Sequence, residues 1–408
     1  MSSLRRHCMV VHNYYPIGEP RVEREAQALV ACGYEVDVVC LRNQGEAAQE
    51  VSAGVTIYRL PLARRRGRGR VWQLLEYLAF FLVVLVRLPF LQRSRRYQTV
   101  QIHNLPDFLV FAAAGAQWQG AKLILDIHDL MPEFYASSFR GRMDSWPIRL
   151  LIWQEQLACR FVDRVITVTS QWQETLIERG VPREKTSVVM NVADNRIFHA
   201  LPAVTPNNNA FHLIYHGTLA HRYGVDLLIR ALAIIQHELP DTHLTIHGRG
   251  DFLSELTQLA QTLGIQERVQ FSTHYMPMTE LPHLIRRADV GIVPNRRDIF
   301  TDGILPTKLM EYVALGVPTI AARTPAIENY FDETMVCFFK PDDANELAAC
   351  IRKLYADREA LAQLSRNADK FNHQYNWQVA AARYVALIEQ LGNRSANSRE
   401  NSPAFEDI

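Results

Sequence analysis

The sequence predicts an α/β protein made of two doubly wound domains facing across a cleft. Three observations carry the prediction. Short β-rich runs alternate with longer segments of helical period through the first half. After a polar break the same alternation starts again. The 408 residues, 48% hydrophobic and 21% charged, are enough for two domains that each bury a core. The same composition excludes a disordered chain, a collagen-like repeat and a small disulfide scaffold.

In the first half, the strand-like runs are residues 8–12, 34–41, 55–60, 99–103, 122–128 and 164–169, and segments 23–31, 105–116 and 148–159 have helical period. Strand, helix, strand in succession implies a parallel sheet covered on both faces. The first domain is placed at 1–195. Residues 191–209, rich in Asn, Pro and Ala and without apolar periodicity, form the linker. Strands then recur at 211–217, 243–248, 269–271, 289–294 and 317–322, with helices at 225–237, 252–263 and from 306, giving a second domain at 210–372. Helices follow at 344–356 and 358–371. A C-terminal helix, 373–391, is expected to cross back to the first domain, and the polar residues 392–408 to be disordered. In open parallel sheets ligands sit beyond the carboxyl ends of the strands, so the cleft is the expected site.

Charge narrows the partners. With 44 Lys+Arg against 43 Asp+Glu the formal net charge is +1, without the basic surplus of a nucleic-acid-binding domain. Cys8, Cys32, Cys40, Cys159, Cys337 and Cys350 lie far apart with no C-x-x-C spacing and read as reduced, mostly buried small hydrophobes. After Arg5 and Arg6 the apolar stretch spans only residues 8–11, too short for a secretory signal, so the chain is expected in the cytoplasm. One basic feature is local. Residues 77–91, YLAFFLVVLVRLPFL, carry Arg87 as their one charge and lie between RRRGRGR (64–70) and Arg93, Arg95 and Arg96. Such a segment either rests on an anionic membrane, here the inner face of the cell membrane, or is a buried helix flanked by solvated arginines.

Three stretches in the second half bear on chemistry. Gly217-Thr218-Leu219-Ala220-His221-Arg222-Tyr223-Gly224 follows a strand and enters a helix; its glycines allow a ligand to approach the backbone, and Arg222 is suited to a phosphate. An ordinary strand-to-helix loop is the other reading. Gly248-Arg249-Gly250-Asp251 is a second glycine-bracketed turn, in which Arg249 reaches an anion or a base, or the glycines serve turn geometry alone. Residues 306–318, PTKLMEYVALGVP, have Pro306 and Thr307 at a helix start and Gly316 at its end. Lys308 opposes the helix dipole there, which suggests an anionic ligand at that helix end. Glu311 lies on roughly the same face, where a carboxylate can grip two neighbouring sugar hydroxyls. No G-x-G-x-x-G, P-loop or D-x-D occurs. His12, His103, His216 and His247 sit at or near strand ends at spacings that match no metal site, and read as capping or packing residues.

PTKLMEYVALGVPTIA, with HGTLAHRYGVDLLIRA and HGRGD upstream, resembles the donor half of the retaining family 4 (group 1) glycosyltransferases, which have the two-Rossmann GT-B fold. HNYYPIGEPRVEREAQALVACGYEVDVVC and LILDIHDLMPEFY resemble the opening strand, loop and helix and the acceptor-side loop of that family, so the likeness runs to about Leu391. It implies a sugar transferred from a UDP- or GDP-sugar donor to a glycan or lipid-linked acceptor, with retention and without a metal or other cofactor. It implies that Glu311 holds the ribose hydroxyls, that Gly18, Gly217 and Gly248 lie by the donor, that Arg222 and Lys308 hold the diphosphate with Arg249 nearby, and that His128 lies beside the sugar. A histidine hydrogen-bonded to Asp126 or Asp129 is the other reading of His128.

The sequence departs from the family pattern in four places. Gly303 stands where the first of two glutamates is usual, leaving Asp302, or the backbone at Gly303 and Ile304, to contact the sugar. Thr218 and Tyr223 stand at the usual loop arginine and lysine, and Asn191-Val192-Ala193-Asp194 lacks the usual glycine. A sugar-nucleotide epimerase of the same fold and a non-catalytic donor-binding scaffold remain alternatives. A nicotinamide-dependent dehydrogenase ranks last, for want of a dinucleotide fingerprint.

Overall fold

The computed structural model describes residues 5–64, 69–138, 141–199 and 210–400. The chain divides into two compact units, Met1–Met190 with Ala380–Ile408, and Asn191–Val379. In the first, the described residues form an eight-stranded sheet: β1 (Arg6–Tyr14), β2 (Glu35–Leu41), β3 (Gln49–Ser52), β4 (Val55–Leu60), β5 (Thr99–His103), β6 (Lys122–Ile127), β7 (Arg164–Thr167) and β8 (Thr186–Val188), in the order β3-β4-β2-β1-β5-β6-β7-β8. All pairings are parallel except β3 with β4. The polar, fully exposed β3 has no alternation to announce it, and the sequence reading missed it.

Crossover handedness assigns the helices to faces. From β1 to β2 the chain steps one way along the sheet, and from β4 to β5, β6 and β7 it steps back. Right-handed connections therefore put the Pro20–Ala31 helix on one face and the Arg70–Arg95 and Trp146–Phe161 helices on the other. On the first face, Val22, Ala26 and Leu29 share a core with Tyr384, Ile388 and Leu391 of the Trp377–Glu400 helix. That helix corrects the expected tail: residues 392–400 continue it, and only 401–408 lie outside the described residues. Polar side chains past Leu391 hid the extension because a helix leaving its core needs no apolar stripe.

On the second face, the Arg70–Arg95 helix contains residues 77–91, which are buried on one side only. Tyr77, Phe80, Val84, Leu88 and Gln92 are buried along one side, while Leu78, Leu82, Val86 and Phe90 are exposed along the other. It is long and apolar enough to cross a membrane by length and composition. Of the flanking basic run 64–70, residues 65–68 lie outside the described residues. The segment expected as a helix over 105–116 is instead a 3-10 turn, Asp107–Ala113, followed by Ala114–Trp118. Its opening bond is the i to i+3 contact from the Leu109 N–H to the Pro106 carbonyl, 3.2 Å.

The second unit holds a six-stranded parallel sheet: β9 (Phe211–His216), β10 (Thr242–His247), β11 (Val269–Ser272), β12 (Val290–Val293), β13 (Thr319–Ala322) and β14 (Cys337–Phe339), in the order β11-β10-β9-β12-β13-β14. β9 lies inside, paired with β10 and β12. Linker residues 200–209 lie outside the described residues. All six cysteines are free; Cys32 is exposed and Cys337 half-buried, the rest buried.

Ile388 is fully buried against the first unit's core. Ile388→Ala is expected to lower unfolding free energy by about 2–4 kcal/mol, measured by urea denaturation. A loss within experimental error would mean that the C-terminal helix does not close this core.

Candidate functional site

β9 and β10 run in register, His216 beside His247, so their glycine turns begin side by side. The Gly217 N–H donates to the His247 carbonyl and the Gly248 N–H to the Ser272 carbonyl, each at 2.9 Å. A Cβ on Gly248 would lie 1.8 Å from the Gly217 oxygen, and one on Gly250 1.9 Å from the Leu219 oxygen. No side chain fits between these turns. Gly217, at φ +121, faces Lys308: a Cβ there would lie 3.2 Å from Lys308 Cε.

Lys308 lies in the first turn of the Thr307–Ala314 helix, yet is only 8% exposed. Its Nζ sits 5.0 Å from the ring centres of Tyr215 and of Tyr223. Burial lowers its pKa from 10.5 to about 8, with Glu311 pulling the other way. The sign follows from the charge. Below about pH 8 the ammonium form prevails and attracts an anion; above it the site loses that charge unless a bound anion restores the proton.

Glu311 follows on the same helix, 9% exposed. Its Oε2 lies 2.5 Å from His216 Nε2, and His216 Nδ1 lies 3.0 Å from the Tyr312 hydroxyl. In a neutral imidazole the Nε2–H then donates to the carboxylate while Nδ1 accepts from Tyr312. Tyr312 is itself fixed by β12, where a Cβ on Gly291 would lie 2.4 Å from its ring. The carboxylate therefore has a set orientation.

The other expected donor residues fall out differently. Arg222 lies in the 3-10 turn His221–Tyr223, its guanidinium 5.3 Å from the Phe300 ring centre. Arg249 is exposed and donates to the Thr273 carbonyl at 2.5 Å. The Asp302 carboxylate accepts a fork from Arg297, at 2.9 and 2.7 Å. The Gly303 N–H donates to the Phe300 carbonyl at 3.1 Å, and Ile304 is half-buried. The structure thus gathers Gly217, Gly248, Lys308 and Glu311, and ties Arg249 and Asp302 to other partners.

In the first unit, His128 follows β6 and joins a buried polar network. Asp126 Oδ2, His103 Nδ1 and His128 Nε2 lie 3.2 Å from one another. Three such atoms have the spacing to hold an ion. Here Arg21 supplies the positive charge, forking onto Asp126 at 3.1 and 3.0 Å and contacting Glu25 at 3.0 Å. Burial alone would raise the Asp126 carboxyl, but Arg21 and His128 outweigh it and hold it well below the usual carboxylate range. Burial alone would lower His128; Asp126 outweighs that and raises it, with Glu19 assisting. Glu19 also fixes the Gly18 loop by accepting from Asn13 Nδ2 at 2.8 Å, and Gly18 has φ +105.

Sequence reasoning treated His216 and His103 as capping or packing residues and did not single out Arg21, Tyr215 or Tyr312. The strand-end positions of His103 and His216 were the available signal; partners 25 and 95 positions away were not readable.

Comparison with known proteins gives two family matches: a glycosyl transferase 4-like domain over residues 18–191 and glycosyl transferases group 1 over residues 201–371. A GDP-mannose-dependent α-(1-6)-phosphatidylinositol monomannoside mannosyltransferase of Mycolicibacterium smegmatis is 33% identical over 185 residues, 44% of this chain and 47% of the relative. A D-inositol 3-phosphate glycosyltransferase of Thermobispora bispora is 25% identical, covering 90% of this chain and 88% of the relative. The chain thus spans about half the length of the first relative and most of the second. A sucrose-phosphate synthase from Thermosynechococcus elongatus has the same fold, with TM-score 0.76, 18% identity, and coverage of 95% of this chain and 99% of that one.

His216→Leu leaves the mostly buried Glu311 carboxylate without its imidazole donor and is expected to cost about 1–3 kcal/mol of stability. His216→Gln, which keeps an N–H, should recover part of that loss in urea denaturation. Equal losses in both variants would remove the imidazole–carboxylate bond from the account.

Proposed function

The chain belongs to the group 1 glycosyltransferases, and from that premise we propose that it moves a sugar from a nucleoside diphosphate donor to a glycan or lipid-linked acceptor. The observation that carries the reading is Lys308, a mostly buried cation at a helix start, beside the bare Gly217 backbone and one turn from an oriented Glu311.

In this reading Lys308, with Arg222, takes the diphosphate, and Glu311 holds the ribose hydroxyls through the oxygen that His216 leaves. As the bond from the sugar C1 to the phosphate oxygen breaks, negative charge grows on the diphosphate. A cation and a helix start aimed at it lower the barrier. The acceptor oxygen bonds to C1, and its proton passes to a phosphate oxygen of the leaving group. The anomeric configuration is retained and no metal takes part. His128 positions the sugar, with Gly18 nearby; Asp126 outweighs burial and raises its pKa, which favours the protonated, donating form of the ring. Since the Asp302 carboxylate is engaged by Arg297, the backbone around Ile304 is the better candidate for the sugar contact. The reading extends to polysaccharide or glycolipid synthesis on the cytoplasmic side of the cell membrane. The M. smegmatis relative is named for a GDP-sugar and a phosphatidylinositol-based acceptor, which favours a lipid-linked substrate here.

The test is thermal stability with saturating UDP, GDP or NAD, for the natural chain and Glu311→Gln. A ligand at 100 times its Kd adds about 2.7 kcal/mol. Stabilisation by UDP or GDP is expected, identifying the base, with roughly tenfold weaker binding in Glu311→Gln from loss of a charge-assisted hydrogen bond. Stabilisation by NAD alone, or by none of the three, would overturn the reading.

A further inference from the structure

We propose that the first unit docks flat on an anionic lipid bilayer through the outer sides of the Arg70–Arg95 and Trp146–Phe161 helices. The proposal rests on the lipid-linked acceptor reading only for its purpose, since the surface exists without it. On the Arg70–Arg95 helix, Val71, Leu75, Leu78, Leu82, Val86 and Phe90 recur at three- and four-residue steps and are 42–71% exposed. Such steps draw one continuous stripe along the whole helix. The opposite stripe is held on the sheet: Phe80, Val84 and Leu88 are at most 1% exposed. The helix therefore presents its side and cannot be threaded through a bilayer without stripping its inner stripe from the sheet.

The Trp146–Phe161 helix lies over the same sheet face and repeats the pattern. Trp146, Leu150 and Trp153, at steps of four and three, are 76%, 52% and 56% exposed, while Ile148, Ala158 and Cys159 are buried. Between the two helices runs the 107–118 segment, whose Phe108 packs on Phe81 and whose Phe111 packs on Phe161, with ring centres 5.9 and 5.1 Å apart. Trp118, at the end of that segment, is 85% exposed. With Trp72, four of the chain's six tryptophans are exposed on these elements. An indole has an apolar body and one N–H, which suits the boundary between acyl chains and headgroups.

Charge selects the occupant. Residues 61–96 contain nine arginines and a single acid, Glu76, in a chain of net charge +1. Arg87, Arg93 and Arg96 are exposed, placed to reach lipid phosphates while their stems lie along apolar surface. A second copy is the competing occupant. A two-fold contact through this face would set the exposed Arg87, Arg93 and Arg96 against their own copies, with Glu76 the one acid of residues 61–96 to answer them.

The experiment is co-sedimentation of the purified full chain with phosphatidylcholine vesicles, with and without phosphatidylglycerol, in the absence of nucleotide. Binding to the phosphatidylglycerol vesicles is expected to be at least roughly tenfold tighter and to weaken with salt. Leu82→Glu with Val86→Glu, and separately Trp153→Ser, should each weaken it by roughly tenfold. These positions are exposed, so melting temperature and nucleotide-induced stabilisation should be unchanged. Failure of the nucleotide test with vesicle binding intact would sink the donor reading and leave this one standing. No binding to anionic vesicles, equal binding by the variants, or a vesicle-indifferent dimer dissolved by the same substitutions would overturn it; the dimer would assign the face to a second copy.

Discussion

The second unit turns on an ammonium group kept out of water. Displacing Lys308 from 10.5 to about 8 corresponds to about 3 kcal/mol of disfavoured charge. A cation held at that cost marks Lys308 as a candidate for contact with an anionic ligand. The surroundings make the burial tolerable without cancelling it. Two tyrosine rings offer their faces, and Glu311 gives partial compensation from the same helix. The adjoining turns favour glycine: Gly217 for its φ of +121, where a Cβ would also lie 3.2 Å from Lys308 Cε, and Gly248 because the Gly217 oxygen fills the space. Backbone conformation thus accounts for the glycine at the end of β9, and that turn's backbone for the glycine at the end of β10.

The first unit handles buried charge differently. Arg21, Glu25 and Asp126 answer one another, and Gln101 donates to both carboxylates at 2.8 and 3.1 Å while accepting from the Tyr384 hydroxyl at 2.6 Å. The C-terminal helix therefore reaches the polar network beneath His128 through a direct hydrogen bond. Charge satisfied internally makes a rigid support, whereas charge left partly unanswered marks a candidate binding site. His128 sits at the edge of the first kind, with its ring held by Asp126 and its backbone N–H donating to Asn104 Oδ1 at 2.9 Å.

The fold was legible wherever burial imposes a period. β4 and β5 were read at their observed ends, and helix Ala344–Ala356 likewise, because apolar alternation and helical spacing mark their limits. The hairpin strand β3 and the 3-10 segment Asp107–Ala113 were missed or misassigned because neither has a period of its own. At the site, the sequence placed Lys308 and Glu311 on one short helix and Gly217 and Gly248 at strand ends, and the structure has them there. His216 was not, since its role depends on a helix 95 residues later. The partners of Arg249 and Asp302, the Thr273 carbonyl and the Arg297 guanidinium, are supplied by three-dimensional packing and were not readable in the sequence.

The most direct measurement is calorimetric titration of UDP and of GDP at pH 8.5 in buffers of different ionisation enthalpy. With burial lowering the Lys308 pKa to about 8, a diphosphate that restores its charge should draw in a measurable fraction of a proton per nucleotide bound, and Lys308→Met should abolish the uptake. Tight binding with no proton taken up would contradict the account, because it would mean that the nucleotide does not meet this lysine.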